Sequence, residues 1–437
     1  KPGVIIKAGY DGYSRNQFGT HDGTIIAEGM ASDPIVFTSW RDDSWGGDTN
    51  AIDDTLSAAT DDWGGLYIMD HYNDNNGTAK YSSLGYLIIR YAHQGLDMEL
   101  GNQVFEDEIN NVTIYRPYNY GATLERGKYT LNHFLVERTQ RYDGIYSRYN
   151  GDIIVRNSLI QDNGRYGLYA RGTNDSFFRE VSNTLIRNNG SDGIHVPGGK
   201  YPMTYQFNTI SHNSGNGIMA YQENVGTDTV LTISGNTILH NGGIGILSSR
   251  AIIVDDTLEY NNAPLGLTGS LSKSGTVNDR GNYYEGNVIR NNELDSVLVV
   301  TGTIRGILGG TFPAGYQRPL VVARSDIELN SADSLIFMAG TILKNQQNVD
   351  YILEGHVESR GTIDSKVVFT SFLDDTYGGN TNGDSTGIQP SPGDWSGIDL
   401  STPSSDSSKI VNTIIRYAYA NLDLNNTEAV VDSSFIS

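Results

Sequence analysis

One short phrase recurs through the middle of this chain: an apolar residue, two or three polar ones, Asn, three variable residues, Gly, then Ile or Leu. It reads IQDNGRYGL from Ile160 to Leu168, IRNNGSDGI from Ile186 to Ile194, ISHNSGNGI from Ile210 to Ile218 and ILHNGGIGI from Ile238 to Ile246. A looser copy ends at Leu267, and Ser296 replaces the glycine in IRNNELDSV. The asparagines Asn163, Asn189, Asn213, Asn241, Asn262 and Asn292 step by 26, 24, 28, 21 and 30 residues, yet each Gly (or Ser296) stands four positions after its Asn. A fixed inner spacing with an elastic outer one is the mark of stacked coils whose loops vary in length. The chain is expected to be a solenoid.

Each phrase holds two apolar segments too short and too Gly-broken for helices. A strand of three to five residues cannot bury its apolar side alone, but stacking on an identical strand buries it. Parallel in-register stacking places like above like every ~4.8 Å. Asparagine suits such a column, because its amide donates to one neighbour and accepts from the other. The following Gly is expected to supply a positive-φ bend into the next strand. A second Asn column is expected from Asn157, Asn183, Asn208, Asn236 and Asn287. The fold class is therefore all-β, a single-stranded parallel β-helix with coils of about 21–30 residues. The pattern resembles the repeat of secreted right-handed β-helix proteins, which include carbohydrate lyases and epimerases. That resemblance and the general hand of parallel crossovers imply a right-handed helix.

A solenoid escapes the usual division of 437 residues into two or three globular domains, because its core grows along one axis. The 51 glycines and 27 tyrosines fit many turns and many half-buried strands. A net charge of −21 opposes binding to nucleic acid or an anionic membrane, and favours divalent cations. There is no cysteine, so no disulfide is used, and no apolar run reaches the 18 residues of a membrane span.

A longer repeat lies beneath the coils. Phe37-Thr38-Ser39 returns as Phe369-Thr370-Ser371 and Trp63 as Trp395, both offset by 332 residues; IIRYA at Ile88 returns at Ile414. Residues 1–90 are read as coils with an acidic loop, 91–298 as the regular Asn-ladder region, and 299–437 as coils that begin the second copy, in one continuous solenoid. Residues 20–66 and 355–398 resemble a module of very large secreted bacterial β-helix proteins, which implies an extracellular or cell-surface location. Lys1 corresponds to Met338, within a coil, so the ends are expected to stack on further coils or on other copies of the chain.

The acidic loops are the leading chemical candidates. The first offers Asp42, Asp43, Asp48, Asn50, Asp53 and Asp54; the second offers Asp374, Asp375, Asn380, Asn382 and Asp384. Ca²⁺ takes six to eight oxygens of these kinds from a flexible loop. The alternative is a set of Asx turns whose aspartates cap backbone amides. A second candidate is an outward stripe after each Gly: Tyr146 with Arg148, Tyr169 with Arg171, His195 with Pro197, and Met219 with Tyr221. Tyrosine and arginine columns suit a polysaccharide, with guanidinium groups pairing uronate carboxylates; they also suit ordinary exposed strands. Tyr169, Arg171 and His195 are the catalytic candidates for a lyase or epimerase, although no Asp-Pro-His epimerase motif and no pectate-lyase or polygalacturonase signature is present. His212 and His240 occupy equivalent places in adjacent coils and are expected to be neighbours. Two functions follow. The first is a calcium-stiffened extracellular rod, part of a fibre, sheath or adhesin built from copies end to end. The second is an enzyme or binding module for acidic glycans.

Overall fold

The computed structural model describes residues 1–9, 16–21, 23–49, 57–69, 82–99, 108–171, 176–199, 201–222, 231–249, 251–268, 270–272, 281–285, 287–292, 297–303, 306–308, 321–323, 326–329, 331, 334–382, 384, 387–400, 407–424 and 429–437. Among these residues every regular element is a β-strand, the longest being Ser83–Arg90. Contacts divide the chain into two units, Lys1–Gly243 and Ile244–Ser437.

In the first unit successive coils pair in parallel and in register. Val136, Ile160, Ile186, Ile210 and Ile238 form one column, and Ile145, Leu168, Ile194 and Ile218 another. All nine are fully buried. Each such side chain contributes about 2 kcal/mol once removed from water, and a three-residue strand gains this only because a copy of itself lies on each side.

The predicted asparagine column is present between them. Asn163 Nδ2 donates to Asn189 Oδ1, Asn189 to Asn213 and Asn213 to Asn241, each at 2.9 Å. The same oxygens also accept the backbone N–H of the preceding coil's Asn, at 3.1–3.2 Å. These amides have lost their water, so every donor and acceptor has to be matched within the stack.

Three details differ from the sequence expectation. The bend falls on the residue just before each ladder Asn, and not on the glycine: Asp162, Asn188, His212 and His240 have φ of 57°, 55°, 56° and 55°. Asn, Asp and His are the non-glycine residues that best tolerate this left-handed region. The repeat glycines answer a different need. A Cβ on Gly193 would lie 2.7 Å from Gly217 O and 2.7 Å from Ile210 Cγ2, and Gly144 and Gly167 are as crowded.

The second polar column also runs one residue later than expected at two coils. Asn157 and Asn183 are exposed, at φ 50° each, and Ser158 and Thr184 point inward in their place. The column runs from Ser158 Oγ, which accepts from Phe134 N, through Thr184 Oγ1 and Asn208 Oδ1 to Asn236 Oδ1. In the second unit the ladder member is Asn261, not Asn262: its N–H donates to Asn292 Oδ1 at 2.9 Å, and Asn261 is buried.

The second unit continues in parallel coils from Ile327–Leu329, which pairs with Asp350–Leu353. Leu343, Phe369 and Ile415 form its buried column. Tyr351, fully buried, satisfies its hydroxyl on Asn345 Oδ1 at 2.6 Å.

Candidate functional site

The two acidic loops are built from the same atoms. In the first unit Thr38 Oγ1 donates to Asp42 Oδ2 at 2.5 Å and Ser39 Oγ to Asp62 Oδ2 at 2.6 Å. In the second, Thr370 donates to Asp374 at 2.5 Å and Ser371 to Asp394 at 2.6 Å. Trp63 Nε1 donates to Arg90 O, and Trp395 Nε1 to Arg416 O. The cations in these loops are side chains of neighbouring coils. Lys7, in register with Thr38, donates Nζ to Gly47 O at 2.5 Å; Lys344, in register with Thr370, donates to Gly379 O at 2.5 Å. From the following coil Arg90 Nη1 reaches Asp42 Oδ2 at 2.8 Å, and Arg416 Nη1 lies 3.8 Å from Asp374 Oδ2. Lys344 is fully buried, and that burial brings its amine down to about 8 against the pull of Asp375 and Asp374. Each loop is thus closed by three consecutive coils.

For the expected calcium ligands this has a direct meaning. Asp42 and Asp374 are buried and already hold a threonine hydroxyl and an arginine. Asp43, Asp48 and Asn380 are exposed, while Asp375, Asn382 and Asp384 are half-buried, with Asn382 Nδ2 donating to Asp384 Oδ2 at 2.9 Å. Asn50, Asp53 and Asp54 lie outside the described residues. Among the described residues no three His, Cys, Asp or Glu side chains gather as a metal site. The IIRYA repeat is visible in the sequence, but nothing within one coil shows that its Arg reaches the acidic loop.

The outward stripe of the first unit is an ordered column: Tyr67, Asp97, Thr123, Tyr146, Tyr169, His195 and Met219. Its tyrosines were expected to stand open to a ligand. Instead they cover one another. Tyr146 stacks on Tyr169 at 5.2 Å with planes 4° apart and on Tyr120 at 5.0 Å, Tyr166 lies 5.0 Å from Tyr169, and only 7% of Tyr146 is exposed. The arginines are engaged as well. Arg148 pairs with Glu125, Arg126 with Glu99, and Arg165 grips the fully buried Asp143 with two bonds at 2.7–2.8 Å. Stacked coils align like side chains, and rings offset by about 5 Å are in a favourable stacking range.

At the lower end of this stripe Asp97 sits among Tyr67, Glu99 and Glu125. Burial, then the neighbouring Glu125, raises its carboxyl to about 7, with Arg148 opposing. Burial raises Glu125 too, against Arg148, and the three carboxylates add to burial in raising Tyr67 to about 12. At the upper end His195 Nδ1 lies 2.6 Å from Asp192 Oδ2, and Asp192 Oδ1 accepts Asn216 N at 2.6 Å. A carboxylate only accepts, so Nδ1 carries the proton in this contact.

The family model described as a right handed beta helix region matches residues 100–257 and 178–307. The chain carries a right-handed β-helix. A search of curated proteins finds no match to its sequence.

On this β-helix the catalytic candidates are partly assembled. Tyr169 and His195 meet with ring centres 5.4 Å apart, and Arg171 is exposed two residues beyond Tyr169. Tyr221, one coil above Pro197, is half-buried, and its hydroxyl is raised by burial and by Asp192. Asp192, Asp97, Glu99, Glu125 and the Asp143–Arg165 pair were not singled out from sequence. The residue before each repeat Gly was the available signal, since Asp143 and Asp192 both occupy it. His212 and His240 are stacked at 4.9 Å on an exposed edge, as their equivalent positions required.

Proposed function

We propose that this β-helix is a structural segment of an extracellular or cell-surface rod, part of a fibre, sheath or adhesin assembled end to end. The observation that carries the reading is the three-coil closure of the acidic loop, built twice from the same Lys, Thr, Ser, Asp, Trp and Arg. An enzyme elaborates one site; a rod repeats the joint that holds its coils. The tyrosine ladder and the Arg–Asp and Arg–Glu pairs along the stripe add stiffness of the same kind, each tying a coil to its neighbour. Calcium belongs to this reading through the outer rims of the loops, where Asp43, Asp48 and Asp384 offer oxygens. Electron microscopy of the purified chain at rising concentration should find uniform rods that lengthen, and EGTA should lower the melting temperature. Particles of one fixed size at every concentration would remove the assembly, and an unchanged melting curve would remove calcium.

A second reading is favoured by the Asp192–His195 pair. A histidine held in one tautomer beside Tyr169, with Arg171 exposed nearby, has the parts for proton transfer on an acidic glycan. In that case alginate or pectin would release unsaturated uronates, followed by absorbance, and His195→Gln would abolish the release. A flat trace for the unmodified protein rejects it.

A further inference from the structure

In the second unit three polar side chains from two coils meet outside the acidic loop. The strand His356–Arg360 alternates: Val357 and Ser359 are buried, while His356, Glu358 and Arg360 lie on its outer face. From the next coil comes Ser408, fully buried, whose hydroxyl accepts the N–H of Val357 at 2.9 Å. That anchor sets the preceding residue, Ser407, beside the outer face. Ser407 is exposed and has φ 74°, a left-handed backbone that a non-glycine residue adopts only under constraint. Its Oγ lies 3.4 Å from His356 Nδ1, and His356 Nε2 lies 3.2 Å from Glu358 Oε1. Arg360 Nε donates to the other oxygen, Glu358 Oε2, at 2.5 Å. That bond from Arg360, against burial and with help from His356, holds the Glu358 carboxyl below the usual carboxylate range. Glu358 therefore accepts, and Nε2 carries the proton of their contact. A neutral imidazole protonated there has its lone pair on Nδ1, the atom that faces Ser407.

The long repeat supplies an internal comparison. Ile25 corresponds to Val357, and Ser82 to Ser408, since each serine stands six residues before its IIRYA. The same bond, from Ile25 N to Ser82 Oγ at 3.0 Å, is present in the first unit. The joint is common to both copies, but the three residues are not. The first copy's sequence has Thr24, Ile26 and Tyr81 where the second has His356, Glu358 and Ser407. Holding the coils together does not require the serine, the histidine or the acid.

We propose that Ser407, His356 and Glu358 form a hydrolytic site for carboxylic esters, with Ser407 as nucleophile, His356 as general base and acid, and Glu358 as the residue that positions the ring. Ser407 Oγ attacks the carbonyl carbon, and its proton passes to His356 Nδ1. His356 gives that proton to the departing alkoxide, which leaves as the alcohol, and the acyl group stays on Ser407. Water, deprotonated by the same nitrogen, then attacks the acyl carbon and releases the carboxylic acid, and the proton returns to the serine oxygen. The N–H of Ser408 has no acceptor among the described residues. It follows the nucleophile directly, the place from which a backbone donor stabilises the oxyanion. The serine–histidine contact is long, as catalytic contacts often are before substrate binds. So open a serine suits an ester over an amide, because an alcohol leaves more readily than an amine. The site uses none of the residues on which either reading above depends.

Two reagents test it on the unmodified chain: p-nitrophenyl acetate, and a fluorophosphonate that attaches to activated serines. A single fluorophosphonate should attach, on the peptide that carries Ser407, and nitrophenolate should be released with turnover. Ser407→Ala should lose both the label and the turnover. His356→Gln and Glu358→Gln should each lower kcat about a hundredfold, the latter with KM unchanged, and Glu358→Asp should recover part of the loss. Thr24→Ala, at the matching place of the first copy, should change neither label nor rate. A chain that takes no label, or that releases nitrophenolate no faster than free imidazole, overturns the proposal, as does a label that survives Ser407→Ala. Circular dichroism of each variant separates loss of the site from loss of the fold.

Discussion

Asp97 offers the sharpest test of how the stacked face is held. Its carboxyl is raised from the usual 3.8 to about 7, chiefly by burial and then by Glu125. The folded protein therefore binds this proton more tightly than the unfolded chain does. Stability from this group is fully present below about pH 3.8 and is lost as pH rises through 7. Each pH unit inside that window is worth about 1.4 kcal/mol. Between pH 5 and pH 8 the protein should therefore lose about 3 kcal/mol through Asp97 alone. Asp97→Asn keeps the shape and removes the ionisation. The variant's urea midpoint should gain on the unmodified protein as pH rises, by an amount equivalent to about 3 kcal/mol between pH 5 and pH 8 and with an unchanged m-value. Acids remote from Asp97 titrate alike in both proteins and cancel, while Glu125 is coupled to Asp97, so the difference reports the pair. Parallel pH profiles for the two proteins would refute the argument, since they would mean that Asp97 is solvated in the folded state.

Three further perturbations address the stack itself. Asn213→Ala removes the acceptor of Asn189 N and Nδ2 and the donor to Asn241 Oδ1, so it should cost about 2–4 kcal/mol in urea denaturation; a loss below about 0.5 kcal/mol would mean that water replaces the ladder. Gly193→Ala should cost about 1–3 kcal/mol by overpacking against Gly217 O and Ile210 Cγ2, whereas Asn188→Gly, at φ 55°, should change the midpoint little. If the two variants exchange behaviour, the bend has been put on the wrong residue. Arg90→Met should destabilise more than Arg416→Met, by about 1–2 kcal/mol, because Arg90 reaches its aspartate at 2.8 Å and Arg416 stands at 3.8 Å; equal melting temperatures would count against the loop closure.

Much of this architecture is readable before any coordinates. A residue type that recurs at a fixed place in each coil has to lie on its copies, so the columns of Ile160, Ile186, Ile210 and Ile238, the ladder from Asn163 to Asn241 and the meeting of His212 with His240 all follow from spacing. What escapes is anything that turns on a single residue of phase. Asn157 and Asn183 look like ladder members, yet each is the left-handed residue that precedes one, and Ser158 and Thr184 accept the hydrogen bonds. The side-chain period of a strand is two, so one residue of slip exchanges inside for outside. The same ambiguity separates Asn261 from Asn262.

The pattern of residues along the chain thus specified the coil, its parallel stacking and its polar columns, because those depend on what each coil has in common with the next. Partnership between unlike residues came from the stacked structure alone. Lys344 reaches Gly379 and Arg416 reaches Asp374 from neighbouring coils, and Tyr146 is sheltered by Tyr120 and Tyr169. Such contacts join residues separated by loops of variable length, and a repeat records that the coils superimpose without recording which unlike side chains then touch.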